Sequence, residues 1–296
     1  MKTSMNISCT VRVFGLEKAI ELHKKAGFDA YDFSAHTFVE YDWRTKTAYA
    51  KANEPIIGDD YITSAKMIKK YADDLGIICS TAHAPFPSDS PYVSKYLNWA
   101  IEVSSILGAK QIVVHPGCSS TAEENALFYK KLLPFAKEKG IKIACENMWN
   151  WNYDPKTMDP SFDHAIEAAC SHHDDFKKHL TLVNDDYLIA CLDIGHAEMK
   201  GLNTTAVEMI KTLNDKIECL HIHDNDKWHD DHAAPFTGKI DFTAMCKALK
   251  EIKYTGDITL EVDPHFAKDE PYDSALKTRT SLANTVKKLR DMILNG

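Results

Sequence analysis

The sequence predicts a single (β/α)8 barrel over residues 1–296, and three observations lead to it. Short apolar, β-branched runs alternate with longer segments of helical spacing, eight of each. Gly closes many of the helical segments just before a strand, at Gly27, Gly76, Gly108 and Gly140, as expected where a helix ends in a left-handed residue. No stretch rich in Pro, Gly or Ser divides the chain, and no GxGxxG or GxxxxGK(S/T) loop supports an open doubly wound sheet instead. A chain of 296 residues accommodates one barrel of about 250 residues, in which parallel strands need crossover helices and closure removes the sheet edges.

The apolar run Met5–Cys9 opens the pattern and Leu16–Ala26 is its first helix, stopped by Gly27. Phe28–Phe33 follows, then a long connection, Ser34–Asp60, and the helix Tyr61–Leu75. The third and fourth strands are Ile77–His83 and Gln111–His115, each followed by a helix, Ser94–Leu107 and Glu123–Lys139. Ile141–Glu146 leads to a helix over Phe162–His179, and Leu188–Asp193 to one over Thr204–Leu213. Ile217–His221 precedes the second long connection, His223–Asp241, and the helix Phe242–Ile252. Asp257–Glu261 and the helix Ser274–Leu294 complete eight units. Both long connections follow strand ends, which in a barrel puts them over the functional face.

A net charge of −8 argues against a partner held by phosphate neutralisation, so nucleic acid is not expected. The N-terminus lacks a signal-like apolar run, and no segment reaches the roughly 18 apolar residues of a membrane helix. The expectation is a cytoplasmic protein with no membrane partner; a homo-oligomer is left open. Eight Cys without CxxC spacing, four of them in predicted strands (Cys79, Cys145, Cys191, Cys219), read as small buried hydrophobes in a reducing compartment.

Polar residues gather at the strand ends: His83 in TAHAPF, His115 in VVHPG, Glu146 in ACEN, Asp193 and His196 in CLDIGH, His221 in LHIHD and Glu261 in LEVD. In a barrel these ends converge on one cavity. A carboxylate buried at the end of an apolar strand costs several kcal/mol unless it is paired or coordinated. Taken singly, each residue reads equally well as a loop cap or a satisfied core group. Jointly they call for a divalent cation held by Glu146, Asp193, His221 and Glu261. Oxygen and imidazole ligands suit Mn, Zn, Co or Mg, and the carboxylate-rich set favours Mn. His23, His164, His172, His173 and His179 fall on predicted helices and are expected on solvated faces.

In their order, HAPF, VHPG, ACEN, LDIGHA, LHIHDND and DDHAAPFTGKIDF resemble the xylose isomerase-like TIM-barrel superfamily of sugar isomerases and epimerases, inosose dehydratases and the endonuclease IV group. The resemblance runs from the third strand to the eighth; earlier residues match only in rhythm. Likeness to the ketose 3-epimerase branch implies that Glu146, Asp193, His221 and Glu261 hold the metal, that Glu146 and Glu261 serve as acid and base, and that His196 binds a substrate hydroxyl. His83, His115, Lys227 and Trp149 join it as substrate-binding candidates. Lys227 stands where that branch has Arg, and Asn152 where it has a second Glu.

Likeness to the endonuclease IV group implies instead that His196, Asp230 and His232 hold a further metal. Trp149, Trp151 and Tyr153, directly after a ligand strand, are read as an apolar wall for a sugar face. The expected function is a metal-dependent sugar or sugar-phosphate isomerase or epimerase acting through an enediolate. The alternatives are a lyase or dehydratase on a cyclitol or oxidised glycoside, and a zinc-dependent abasic-site endonuclease.

Overall fold

The computed structural model describes residues 1–153 and 160–296, with side chains outside 152–163. Eight parallel strands form one sheet: β1 (Thr3–Met5), β2 (Ala30–Ser34), β3 (Ile78–His83), β4 (Gln111–Val113), β5 (Lys142–Glu146), β6 (Leu188–Asp193), β7 (Ile217–Ile222) and β8 (Ile258–Leu260). Their order in the sheet follows the chain, with β1 beside β8 and β2 at the other end. A parallel bridge from Asn6 to Asp32 joins the two ends, with the Ile7 amide donating to the Asp32 carbonyl at 3.2 Å. The architecture is a (β/α)8 TIM barrel.

Residues two apart on a strand share a face, so Ala144 with Glu146, Cys191 with Asp193 and Cys219 with His221 all line the inside of the barrel. Val113, Ala144, Ile189, Cys191 and Cys219 pack into a buried apolar layer, and the polar partners stand one layer above it. Cys191 and Cys219 are therefore small fillers of the barrel interior, Cys79 and Cys145 face the helices in the main core, and all eight Cys are free. Outward-facing residues such as Phe33, Ile143, Leu192 and Leu220 meet the helices in the main core. Gly27, Gly76, Gly108 and Gly140 end helices in the left-handed conformation. Among the described residues no helix is long and apolar enough to cross a membrane.

The structure corrects three sequence expectations. The first strand ends at Met5 instead of running to Cys9, and Ser8–Phe14 is helical. Asn6 causes the turn: its Oδ1 accepts from the Ser8 amide at 2.8 Å and from the Ser34 hydroxyl at 2.9 Å. The helix expected over Phe162–His179 begins at His173, and Pro160–Ile166 is a strand antiparallel to Asn150–Tyr153. Tertiary pairing overrides local spacing there, because the Ala165 amide is satisfied by the Lys200 carbonyl at 2.7 Å. His23 and His179 are buried rather than solvated, His23 stacked on Phe28 and His179 against Asn125.

The helix Ala122–Lys139 starts in a reciprocal cap between Thr121 and Glu124. Thr121→Ala is expected to lower unfolding free energy by about 1 kcal/mol in urea titration, with ligand binding at the barrel mouth unchanged.

Candidate active site and metal centre

The C-terminal strand ends bring two clusters of titratable side chains together. In the first, β7 presents His221, whose Nδ1 lies 2.7 Å from Glu146 Oε1 at the end of β5 and 3.1 Å from Glu261 Oε2 just past β8. His115 Nε2 is 2.9 Å from Glu146 Oε2, and His83 Nε2 is 3.0 Å from His115 Nε2. Beneath them, the fully buried Asp32 on β2 places Oδ2 3.4 Å from His221 Nε2.

The second cluster is built by the turn after β6, the end of β7 and the connection that follows. Asp193 caps the short helix Ile194–Ala197 by accepting from the His196 amide at 2.7 Å. His223 Nε2 lies 3.1 Å from Asp193 Oδ1 and 3.3 Å from Asp230 Oδ1. Asp230 Oδ2 is 3.3 Å from both His196 Nε2 and His232 Nε2. His196 donates through Nδ1 to the Asn147 carbonyl at 2.9 Å, and His232 to the Glu261 carbonyl at 2.7 Å. A carbonyl only accepts, so Nδ1 carries the proton in both rings and a neutral ring turns the Nε2 lone pair toward Asp230.

Gly195, the glycine of LDIGH, is needed for this packing. A Cβ there would lie 1.9 Å from Cε1 of the His223 ring. Asp224 anchors the connection after β7, accepting from Asn225 N at 2.9 Å and Gly238 N at 2.8 Å. Asn147 links the clusters: it follows Glu146 in sequence, and its side chain exchanges hydrogen bonds with the Asp193 backbone at 2.8 and 2.9 Å.

Glu146 Oε2, Asp193 Oδ2, Asp230 Oδ1, His221 Nε2 and His223 Nε2 are buried and make no well-directed hydrogen bond, although acids or imidazoles stand 2.9–3.4 Å from several of them. An unsatisfied buried polar group costs about 1–3 kcal/mol, more when charged, so this density of orphans fits residues shaped around cations. The donor set, carboxylate and imidazole without thiolate, suits a divalent metal. Burial opposes ionisation of Asp230, yet His196 and His232 hold its carboxyl well below the usual range. Burial likewise disfavours a charged His232, but Asp230 pushes the ring up to about 10; Asp193 and Asp230 raise His196 in the same sense.

A cavity of about 800 Å3 opens over both clusters. His83, His115, Glu146, His196, Asp230, His232 and Glu261 line its floor, and Trp149 and Trp151, with ring centroids 4.4 Å apart, stand on one side. Tyr41 and Trp43, from the hairpin Val39–Asp42 with Thr47–Ala50, stand on another. The structure thus gathers Glu146, His221 and Glu261 with His83 and His115. Asp193, grouped with the first three by sequence, turns its Oδ1 to His196 and His223 instead. Lys227 is outside the cavity lining, its Nζ paired with Glu198 at 2.9 Å. The side chains of Asn152 and Tyr153 lie outside the described residues.

Asp32 and His223 were not singled out from sequence. His223 had a usable signal, since it lies two residues from His221 and so shares its face of the strand. Asp32 had the same signal as the other acids, a carboxylate near the end of an apolar run.

A family model described as a xylose isomerase-like TIM barrel matches residues 20–283. An uncharacterised protein of Methanocaldococcus jannaschii is 28% identical over 60% of this chain and 62% of its own length. An inosose dehydratase of Lacticaseibacillus casei is 27% identical over 36% of this chain and 41% of its own. The chain spans 50% to 64% of the length of the first four curated relatives it matches. Among solved structures, a D-tagatose 3-epimerase-like protein superposes with a TM-score of 0.68 at 22% identity, covering 98% of this chain and 99% of the other. A D-psicose 3-epimerase crystallised with D-fructose gives 0.70 at 16%, with complete coverage of both. A zinc-bound IolI protein gives 0.68 at 19%, covering 99% and 98%. At these identities the superpositions establish the fold.

The contact between Gly195 and His223 makes a double-mutant cycle informative. Gly195→Ala is expected to destabilise the metal-free protein by about 1–3 kcal/mol through overpacking. The same substitution made on a His223→Ala background should cost clearly less, as read from urea midpoints.

Proposed function

The chain belongs to the xylose isomerase-like TIM-barrel family, and on that premise we propose that it is a divalent-metal-dependent isomerase or epimerase acting on a sugar or sugar phosphate. The observation that carries the reading is the pair Glu146 and Glu261, from β5 and the end of β8, both within 3.1 Å of the same His221 nitrogen at the floor of the cavity. One ring nitrogen cannot donate fully to two carboxylates, so this arrangement fits ligands that share a cation.

Glu146, His221 and Glu261 would hold the metal, with Asp193 offering its unpartnered Oδ2 from the neighbouring strand. Manganese is the first choice for a carboxylate-rich set; zinc, cobalt and magnesium are the others, and the IolI relative was crystallised with zinc. When bound, such an ion supplies a Lewis acid that polarises a carbonyl.

The protein's own task is proton transfer. Glu146 and Glu261 approach the cavity from different strands, so one takes the proton beside the carbonyl and the other returns it at the opposite face or the adjacent carbon. His83 and His115 line the floor and would bind hydroxyl groups, while Trp149 offers an apolar face to the ring carbons. His196 would contact substrate or, with Asp230 and His232, hold a second ion. Lys227, paired with Glu198, stands outside the cavity lining, which favours an unphosphorylated sugar.

The partial match to an inosose dehydratase supports a second reading, in which the same enolising step ends in loss of water. Assaying a ketose and cyclitol panel for elimination as well as interconversion separates the two.

Glu146→Gln and Glu261→Gln are each expected to reduce turnover by about 10³-fold or more while leaving circular dichroism unchanged. Sugar turnover retained in both variants would remove the mechanism. A pH effect also follows. With its folded value raised to about 10, His232 is protonated in the metal-free chain at neutral pH, and the raised His196 shares that tendency. Cation uptake must expel such protons, so apparent metal affinity should rise from pH 6 to 8, with proton release measurable in weak buffer.

A further inference from the structure

We infer that His223 is a fourth protein ligand in the second cluster, so that His196, His223, Asp230 and His232 form a closed, four-coordinate zinc site with a structural role. This rests on the reading of the barrel mouth as a metal-binding centre and adds a ligand and a function to one half of it.

The distances carry the argument. Zinc binds imidazole nitrogen and carboxylate oxygen at about 2.0–2.1 Å, which sets the edge of a tetrahedron at about 3.3–3.4 Å. Asp230 Oδ2 lies 3.3 Å from Nε2 of His196 and of His232, and its other oxygen, Oδ1, lies 3.3 Å from Nε2 of His223. That spacing exceeds the usual N–H···O separation of about 2.9–3.0 Å. One ligand atom from each of the four residues can be chosen so that all lie within 4.8 Å of one another.

Orientation agrees with distance. His196 and His232 spend their Nδ1 protons on backbone carbonyls, the arrangement that turns Nε2 toward a metal. The His223 ring is fully buried and stacked on His232 at 4.2 Å between centroids. Its Nε2 has no hydrogen-bond partner although Asp193 and Asp230 oxygens are close, and Asp230 Oδ1 is likewise unpartnered. Gly195 leaves the space this ring needs.

Structural zinc sites have four protein ligands, whereas catalytic sites keep one position for water or substrate. With His223 in the fourth position the second site offers no such opening, and the chemistry falls to Glu146, His221 and Glu261. The ion would fasten the turn after β6, the end of β7 and the connection carrying Asp230 and His232. Through the His232 hydrogen bond to the Glu261 carbonyl, it would also steady a catalytic glutamate.

The test strips the protein with a chelator and reloads it with zinc or cobalt(II). Wild type is expected to retain one zinc per chain through dialysis, and cobalt there to give the strong visible absorption of four-coordinate geometry. His223→Gln should bind that ion at least tenfold more weakly and lose most of the absorption, while Glu261→Gln keeps both. His223→Cys gives an independent readout, because a thiolate in the coordination sphere adds a sulfur-to-cobalt charge-transfer band in the near ultraviolet. An unchanged ion affinity and visible spectrum in His223→Gln, or a folded His223→Cys protein that binds cobalt without the band, would overturn the inference. Sugar turnover is scored separately: no turnover with the band present removes the proposed reaction and supports this site, and turnover without the band does the opposite.

Discussion

The structure depends on one electrostatic constraint, the meeting of buried carboxylates and imidazoles at the C-terminal end of a closed barrel. Glu146 and Asp193 are almost entirely shielded from solvent, and Glu146 faces three imidazoles. In a low-dielectric interior such groups persist only if their charges are matched, and the orphaned oxygens and nitrogens show that the side chains alone leave that match incomplete. The rest of the molecule holds this arrangement in place. A layer of small apolar residues fills the barrel below it, and Asn147 and Asp224 pin the backbone around it.

The two clusters divide the work. The first faces the cavity with two glutamates around one imidazole, and in the proposed reaction it is this pair that moves the proton. The second lies where the turn after β6 meets the connection after β7. It is crowded by a stacked pair of histidines and reached by the Trp149 indole, whose Nε1 is 3.3 Å from Asp230 Oδ2. The aromatic side of the cavity thus touches the second cluster directly, so a shift of the Trp149 ring and the position of Asp230 are mechanically linked.

Much of the fold was legible because its signals are local. Apolar β-branched runs, glycines at helix ends and acids at strand ends each state their role within a few residues. What sequence spacing missed was set by distant partners. Phe162 lies in a stretch that reads as helix, yet residues 160–166 pair with 150–153 as a strand. His23 sits on a helix but is buried against Phe28. His223 was overlooked beside His221, although the two-residue spacing in HIH already puts both on one face of the strand. Asp193 was grouped with the glutamates as a strand-end acid; its Oδ1 caps His196 and meets His223, while its Oδ2 stays without a hydrogen-bond partner.

The central claim is that this mouth takes a proton from carbon beside a carbonyl. Isotope exchange tests it most directly: metal-loaded protein is incubated with a panel of ketoses in deuterated water and the recovered sugars are examined by NMR. The account predicts deuterium at the carbon adjacent to the carbonyl of at least one sugar, dependent on both the metal and Glu146. Protein that binds metal and sugar but exchanges no carbon-bound hydrogen in any of them would contradict it.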